Sequence, residues 1–334
     1  MKKRPLLDIR CLTRDYVGNS LFSKPHVNRA LDDLTMTVDA GTIHGIVGES
    51  GCGKSTLARI VMGLDRPTSG EVIFDGDEVF RLNDKELKRK RRDFQMVFQD
   101  PFGSLNPRHT VGRIVAEPLH VLDARPGGAE TRDKVAAMLE SVGLTAAHAE
   151  RHPHEFSGGQ RQRIAIARAL ITEPKLVVAD EAVSALDLSV QAQVLNLLME
   201  LREKRGVTFL FITHNLAVVD AIADMVGVMY RGRMVETGPA QEVFASPLHP
   251  YTQVLAAAEP SIEKFGRPAS QPKPIAAIAD IGVGCSFRNR CPIAAARCAV
   301  EQPQLRTLSP GRQTACHRAE DLLPSSQPAE ALRI

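Results

Sequence analysis

Four stretches of this 334-residue sequence combine residue types and spacings that chemistry demands. The first is TIHGIVGESGCGKSTLARIVMGL, residues 42–64, where Gly48, Gly53, Lys54 and Ser55 meet the pattern G-x-x-x-x-G-K-[ST]. Glu49, Ser50, Gly51 and Cys52 fill the loop between the glycines, and Thr56 follows it. Glycines let a backbone close around phosphate, with several N–H groups turned inward at a helix N-terminus. Lys54 would then reach the β- and γ-phosphates, and Ser55 would hold Mg²⁺. That chemistry belongs to a nucleoside triphosphate, and a tight turn before an ordinary helix is the bland alternative.

The second stretch is KLVVADEAVSALD, residues 175–187. Leu176, Val177 and Val178 read as a buried parallel strand, which delivers Asp180 and Glu181 at its C-terminal end. There Asp180 would complete the Mg²⁺ shell and Glu181 would polarise an attacking water as general base. The third is GCSFRNRCPIAAARC, which with the residues after it sets Cys285, Cys291, Cys298 and Cys316 in a C-x5-C-x6-C-x17-C run. Zinc fingers favour C-x2-4-C pairs and ferredoxins use other spacings, so this run names no metal by itself. Four thiolates can still share one metal group once folding brings them together; four packed apolar cysteines are the alternative.

A fourth stretch, FSGGQRQRIAIARAL at residues 156–170, offers a second helix N-terminus suited to an anion. It resembles the signature motif of ATP-binding cassette (ABC) ATPases. In that family the signature of one subunit closes over ATP held by another. The resemblance therefore implies that Ser157, Gly158, Gly159 and Gln160 act in trans, in a dimer. It also implies a role in the metal site for Gln99 of QMVFQDP, beside Ser55 and Asp180. Asp187 of SALD falls at the dimer loop, and His214 of FLFITHN matches the histidine that contacts γ-phosphate. Tyr16 of LTRDYVG sits where the family stacks an aromatic ring on adenine, with Phe22 a weaker candidate. Two positions depart from the family pattern: Ala182 stands for the usual proline and Asn215 for the usual aspartate. Neither removes a catalytic group.

The elements that must position these residues follow from periodicity. Ile43, Ile46 and Val47 suggest a buried strand ahead of the glycine loop, with helical spacing after it. Val135, Met138, Leu139 and Val142 recur at i, i+3, i+4, i+7, as do Val190, Val194, Leu197, Leu198 and Leu201, until Gly206 ends that helix. Both stripes read as core. Residues 105–170 read mainly as a helical subdomain, and QDPFGSLNPRHTV as its docking loop. The basic run KELKRKRRDF reads as a solvated helix face. The expected fold is therefore α/β: a P-loop NTPase of the ABC type over residues 5–245, with a helical subdomain.

Composition sets the outer limits. A net charge of +3 and 4% aromatic residues argue against a nucleic-acid binder. No apolar run approaches the roughly 18 to 20 residues that span a bilayer, and the N-terminus lacks the apolar core of a signal peptide. The chain reads as cytosolic, where metal binding by cysteine is favoured over disulfides. After residue 245 the chain turns proline- and alanine-rich, as a loosely built extension would, through 322, with a tail over 323–334. SPLHPYTQVL and the cysteine run resemble the C-terminal extension of oligopeptide and dipeptide importer ATPases. In some of those the four cysteines bind a [4Fe–4S] cluster; zinc, with His317 as a substitute ligand, is the alternative. The resemblance implies an ATP- and Mg²⁺-dependent subunit at the cytoplasmic face of a membrane. It further implies a second ABC ATPase as partner, two transmembrane permeases and an extracytoplasmic peptide-binding protein. Import of a nickel chelate, glutathione or another small solute is the sister reading, and a soluble ABC ATPase with no transport role is the more distant alternative.

Overall fold

The computed structural model describes residues 4–18, 26–122, 126–258 and 283–323. Phe22, the segment 259–282 and the tail beyond 323 lie outside the described residues. The strands are β1 (Leu7–Gly18), β2 (His26–Val38), β3 (Ile43–Val47), β4 (Ser69–Phe74), β5 (Asp77–Glu78) and β6 (Phe94–Val97). They continue as β7 (Leu176–Asp180), β8 (Thr208–Ile212), β9 (Met225–Tyr230), β10 (Arg233–Pro239), β11 (Arg306–Ser309) and β12 (Arg312–Thr314). One sheet is antiparallel in the order β2-β1-β4-β5, and the other runs β11-β12-β10-β9-β3-β8-β7-β6.

The five strands β9, β3, β8, β7 and β6 are parallel. Parallel strands are covered on both faces, and β3, β7 and β8 are buried at every position. Alternation along β8 divides the two faces. Phe209 and Phe211 join a core built with the helices, among them Ile164 and Leu198. Leu210 and Ile212 join a second core with Leu57 and with Leu7, Ile9 and Phe74 of the antiparallel sheet. The result is three layers, with the parallel strands in the middle.

Because the strands are parallel, their C-terminal ends fall on one side. β3 ends just before Gly48, β7 at Asp180, β8 two residues before His214, and β6 two before Gln99. This is the edge at which ligands bind in open α/β sheets.

The segment expected to be helical contains helices Val111–Ala116, Gly128–Ser141 and Gly158–Leu170 with short 3₁₀ turns between them. Val135, Met138, Leu139 and Val142 are buried as the spacing predicts. On the helix Leu188–Arg205, Val194, Leu197, Leu198 and Leu201 are buried, and Gly206 caps it at φ 66°. Residues 85–90 of the basic run lie on the helix Asp84–Lys90, which has an Asn83 capping box and no buried residue, as a solvated face should. The run then leaves the helix, and its last residue, Phe94, is buried at the start of β6.

Residues 306–314 extend the larger sheet across the domain boundary expected near 245, because β12 pairs with β10 at Glu236 and Thr237. The anchor there is Glu236, 0% exposed. Its carboxylate accepts from the Leu248 and His249 amides at 2.9 and 3.0 Å and from Arg312 at 2.8 Å. Burial pushes this carboxyl above its usual range, although these three donors pull the other way. The helix Pro250–Ala258 then packs Tyr251 against Tyr230 of β9, with ring centroids 4.6 Å apart, and against Phe287 at 5.6 Å.

Candidate active site

The glycine loop takes its shape from backbone that only glycine adopts easily. Gly53 has φ 110°, and a Cβ on it would stand 2.4 Å from the Ala30 carbonyl oxygen. The loop ends in the helix Lys54–Val61. Lys54 is 5% exposed and folds back over the loop. Its ammonium donates to the Gly48 carbonyl at 2.7 Å and the Glu49 carbonyl at 3.1 Å. A buried ammonium held by loop carbonyls is a cation set inside an anion-shaped cradle.

From the neighbouring strands, Asp180 approaches this loop. The Ser55 hydroxyl donates to its Oδ1 at 3.4 Å. Burial raises the Asp180 carboxyl above its ordinary value, while Ser55 and Lys54 draw it back down. A carboxylate in that position gains from a cation. Glu181 follows at φ 48°, a left-handed conformation unusual for a residue with a side chain. Its amide donates to the Ile212 carbonyl at 2.8 Å, which ties the turn to β8. The twist aims its carboxylate at two partners. Gln99 donates to Oε2 at 2.8 Å, and His214 Nδ1 lies 3.2 Å from Oε1. Glu181, Gln99 and His214, drawn from three different strand ends, are one hydrogen-bonded group.

A cavity of about 570 Å³ opens over the loop, lined by Ser50, Gly51, Gly53, Lys54, Ser55, Thr56, Gln99, Glu181 and Tyr16 among others. Tyr16 reaches it from the end of β1. Its hydroxyl donates to Asp65 at 2.7 Å, and the Arg14 guanidinium covers the ring at 4.5 Å. Cys52 stays buried beneath the loop and does not line the cavity. Arg29, Arg59 and Arg231 also line it, and the sequence reading missed all three. No motif marks them, because they come from β2, from the loop helix and from the turn after β9.

The signature residues stand elsewhere. Ser157 caps the helix Gly158–Leu170 through a capping box with Gln160. Neither they nor Gly158, Gly159 or Asp187 line the cavity. Ser157 and Asp187 are exposed, while Gly159 is buried against Val190, which a Cβ would meet at 2.3 Å. The two departures have quiet local roles. Ala182 is buried, and Asn215 accepts from the Val218 amide at 3.1 Å as the cap of the helix Leu216–Ile222.

The four C-terminal cysteines all line one small cavity of about 10 Å³, with His249, Phe287 and His317. All are free thiols. Burial raises Cys285 and Cys291 and pushes Cys316 up to about 11, so without a bound cation these three stay protonated at neutral pH. As they stand, no three His, Cys, Asp or Glu side chains among the described residues form a ready metal site. The His317 ring contacts the Glu301 carbonyl oxygen through Nε2 at 2.9 Å. Four thiols lining one cavity are a donor set that fits a thiolate-bound group.

Comparison with known proteins places the chain in a family. Residues 31–184 match the family model described as ABC transporter, and residues 235–298 match the oligopeptide/dipeptide transporter C-terminal region. The di/tripeptide transport ATP-binding protein DppF of Pseudomonas aeruginosa is 47% identical over 325 residues, covering 95% of this chain and 99% of that protein. The dipeptide transport ATP-binding protein DppF of Haemophilus influenzae is 45% identical, covering 93% of this chain and 96% of that one. Among solved structures, the ATP-binding cassette MJ0796, dimeric and bound to ADP and phosphate, superposes with a TM-score of 0.63. It is 31% identical and covers 70% of this chain and 99% of its own. The chain belongs to the ATP-binding proteins of ABC transporters, in the branch that carries the oligopeptide/dipeptide transporter C-terminal region.

Proposed function

We propose that this protein is the ATP-hydrolysing subunit of a peptide importer, and that the residues gathered at the strand ends carry the reaction. The observation that carries this reading is the convergence of Ser55, Asp180, Glu181, Gln99 and His214 on one edge of the parallel sheet, beside the loop that Lys54 threads. In the reading, the loop amides of Ser50 to Thr56 cradle the phosphates of ATP, and Lys54 neutralises their charge. Ser55, Asp180 and Gln99 would hold Mg²⁺, which when bound offsets charge on the β- and γ-phosphates. Glu181 is placed to accept a proton from water attacking the γ-phosphorus. Gln99 and His214 hold the carboxylate, and His214, its side chain 58% exposed, would exchange its bond to Glu181 for the γ-phosphate when ATP enters. The open face of Tyr16, opposite Arg14, is the place for adenine.

Several features support closure of two such subunits. Ser157 and Asp187 are exposed and point at no group of their own chain's cavity, so a signature that touches phosphate must do so on a partner. The names of the relatives support an ATP-binding subunit of a peptide transport system, and in this proposal its partners are a second ABC ATPase, two permease subunits and an external peptide-binding protein. In the same proposal the subunit sits at the cytoplasmic face of the membrane, against the permeases. A groove beside Gln99, apolar at Leu64, Met96 and Phe98 and polar at Arg59 and Asp100, gives a permease somewhere to dock, with Phe98 41% exposed and Leu64 54%. Among the described residues no helix is long and apolar enough to cross a membrane. The four cysteines Cys285, Cys291, Cys298 and Cys316 would hold a [4Fe–4S] cluster, or zinc in its place, as a staple for an extension too short to build a large core.

The test is uptake of labelled di- and oligopeptides by cells that carry the wild-type chain or Glu181→Gln. We expect Glu181→Gln to bind ATP yet lose at least about 100-fold in hydrolysis, and to abolish peptide uptake. Normal hydrolysis in that variant removes Glu181 as the base. Hydrolysis that depends on Glu181, with peptide uptake independent of this chain, points instead to another small solute.

A further inference from the structure

Glu49, the first residue after Gly48, is gripped by residues some two hundred positions downstream. The Arg290 guanidinium donates through Nη2 to Oε1 at 2.8 Å and through Nη1 to Oε2 at 3.1 Å. The Tyr251 hydroxyl oxygen accepts from the Glu49 amide at 2.8 Å. On the other side, the Glu49 carbonyl takes the Lys54 ammonium. A continuous run of polar contacts thus joins the C-terminal segment to the lysine of the glycine loop.

Both grips are built rather than incidental. Tyr251 is 0% exposed and wedged between Tyr230 and Phe287. The Arg290 guanidinium lies over the Phe287 ring at 5.4 Å and the Tyr230 ring at 5.9 Å, with its side chain 17% exposed. Two parallel charge-assisted bonds from a stacked, half-sheltered guanidinium fix a carboxylate in angle as well as position. Arg290 stands directly before Cys291, in a turn closed by its own amide on the Phe287 carbonyl at 3.0 Å and the Cys291 amide on the Arg288 carbonyl at 3.3 Å. The cysteine segment is therefore the frame that presents Arg290.

We propose that Arg290 and Tyr251 are positioning residues of the glycine loop, holding Glu49 so that the loop is already shaped for phosphate before ATP arrives. The proposal rests on the reading of Gly48 to Thr56 as the ATP site. A loop amide row binds phosphate only when its N–H groups converge. A loop released at Glu49 has to be ordered by the nucleotide itself, and that cost appears as weaker binding. It does not appear in the chemical step, because bound ATP restores the same shape.

The experiment uses the full-length chain and measures Kd for a fluorescent ATP analogue with Mg²⁺, and kcat and KM for ATP hydrolysis. Variants are Arg290→Gln, Arg290→Lys, Glu49→Gln, the double Arg290→Gln/Glu49→Gln, and Lys54→Ala. Arg290→Gln and Glu49→Gln should each raise Kd and KM by about five- to tenfold with kcat within about twofold. The double should be no worse than either single, since both remove the same pair. Arg290→Lys should recover only part of the loss, because an ammonium makes no fork. Glu49→Gln leaves the Arg290 stacking in place, so it tests the idea even if Arg290→Gln folds poorly. Wild-type Kd in a folded Glu49→Gln, additive losses in the double, or a fall confined to kcat would overturn the proposal. Lys54→Ala separates the two readings. If it binds ATP as wild type does, the site reading fails. If it loses ATP while the Arg290 and Glu49 variants do not, only the positioning role fails.

Discussion

At the scale of single residues, the site is a set of groups placed against their solvation preferences. Asp180 is a buried carboxylate whose burial is only partly offset by Ser55 and Lys54, and Glu181 occupies strained left-handed backbone. Such arrangements persist where the surrounding strands over-determine them. His44, in the middle of β3, shows the same economy without any place in the reaction. It is 4% exposed, its Nε2 has no hydrogen-bond partner among the described residues, and burial lowers its pKa to about 4. In the unfolded chain this imidazole takes a proton near pH 6.5. Between those values the unfolded state binds the extra proton, so native stability falls as pH falls through that window. We expect urea unfolding of the wild type to lose about 1.4 kcal/mol per pH unit below pH 6.5 relative to His44→Gln. Equal slopes for the two proteins from pH 7 to pH 5 would place a charged or solvated His44 in the folded state.

At the scale of elements, the decisive contacts are close approaches of one piece of secondary structure to another. The signature helix Gly158–Leu170 meets the helix Leu188–Arg205 at Gly159 and Val190, where there is no room for another methyl group. The motif's second glycine thus has a packing reason in addition to any role toward phosphate. Gly159→Ala should destabilise the protein by about 1–3 kcal/mol in thermal or urea unfolding, and adding Val190→Ala should restore most of that. A Gly159→Ala protein as stable as wild type would mean that the two helices sit farther apart. Ser157 and Gln160 close the same helix end with a capping box, which leaves the Ser157 hydroxyl exposed yet fixed.

At the scale of the whole molecule, the C-terminal segment is bound into the ATPase in two places. β12 adds to the main sheet beside β10, with the buried Glu236–Arg312 pair at the join. Tyr251, Phe287 and Arg290 meet the glycine loop and β9. The cysteine cavity lies between these two attachments, so a group bound there, as proposed, would stiffen both. Protein purified without oxygen should carry about four irons per chain with broad absorption near roughly 400 nm. About one zinc and no colour would make the four cysteines a zinc staple. No metal would leave Cys285, Cys291, Cys298 and Cys316 as packing thiols, protonated as burial favours.

What the sequence determined by itself was chiefly what is local. Gly48 to Thr56 announced a tight loop leading into a helix, because both are written in consecutive residues. Leu176 to Glu181 announced a strand and its acidic end for the same reason, and the stripes on 135–142 and 194–201 announced buried helix faces, with Val190 at the start of the second only half-buried. The order of the motifs along the chain then named the family. Tertiary structure alone decided what is non-local. Arg29, Arg59 and Arg231 have no spacing to betray them, because three separate elements bring them to one cavity. The sheet's continuation into 306–314 follows from an edge at β10 left open for pairing, which composition near 245 does not record. The bond from Arg290 to Glu49 joins residues 241 positions apart. A carboxylate and a guanidinium at that separation are ordinary surface residues in the sequence. They become partners only when Tyr230, Tyr251 and Phe287 stack and bring the cysteine segment over the loop.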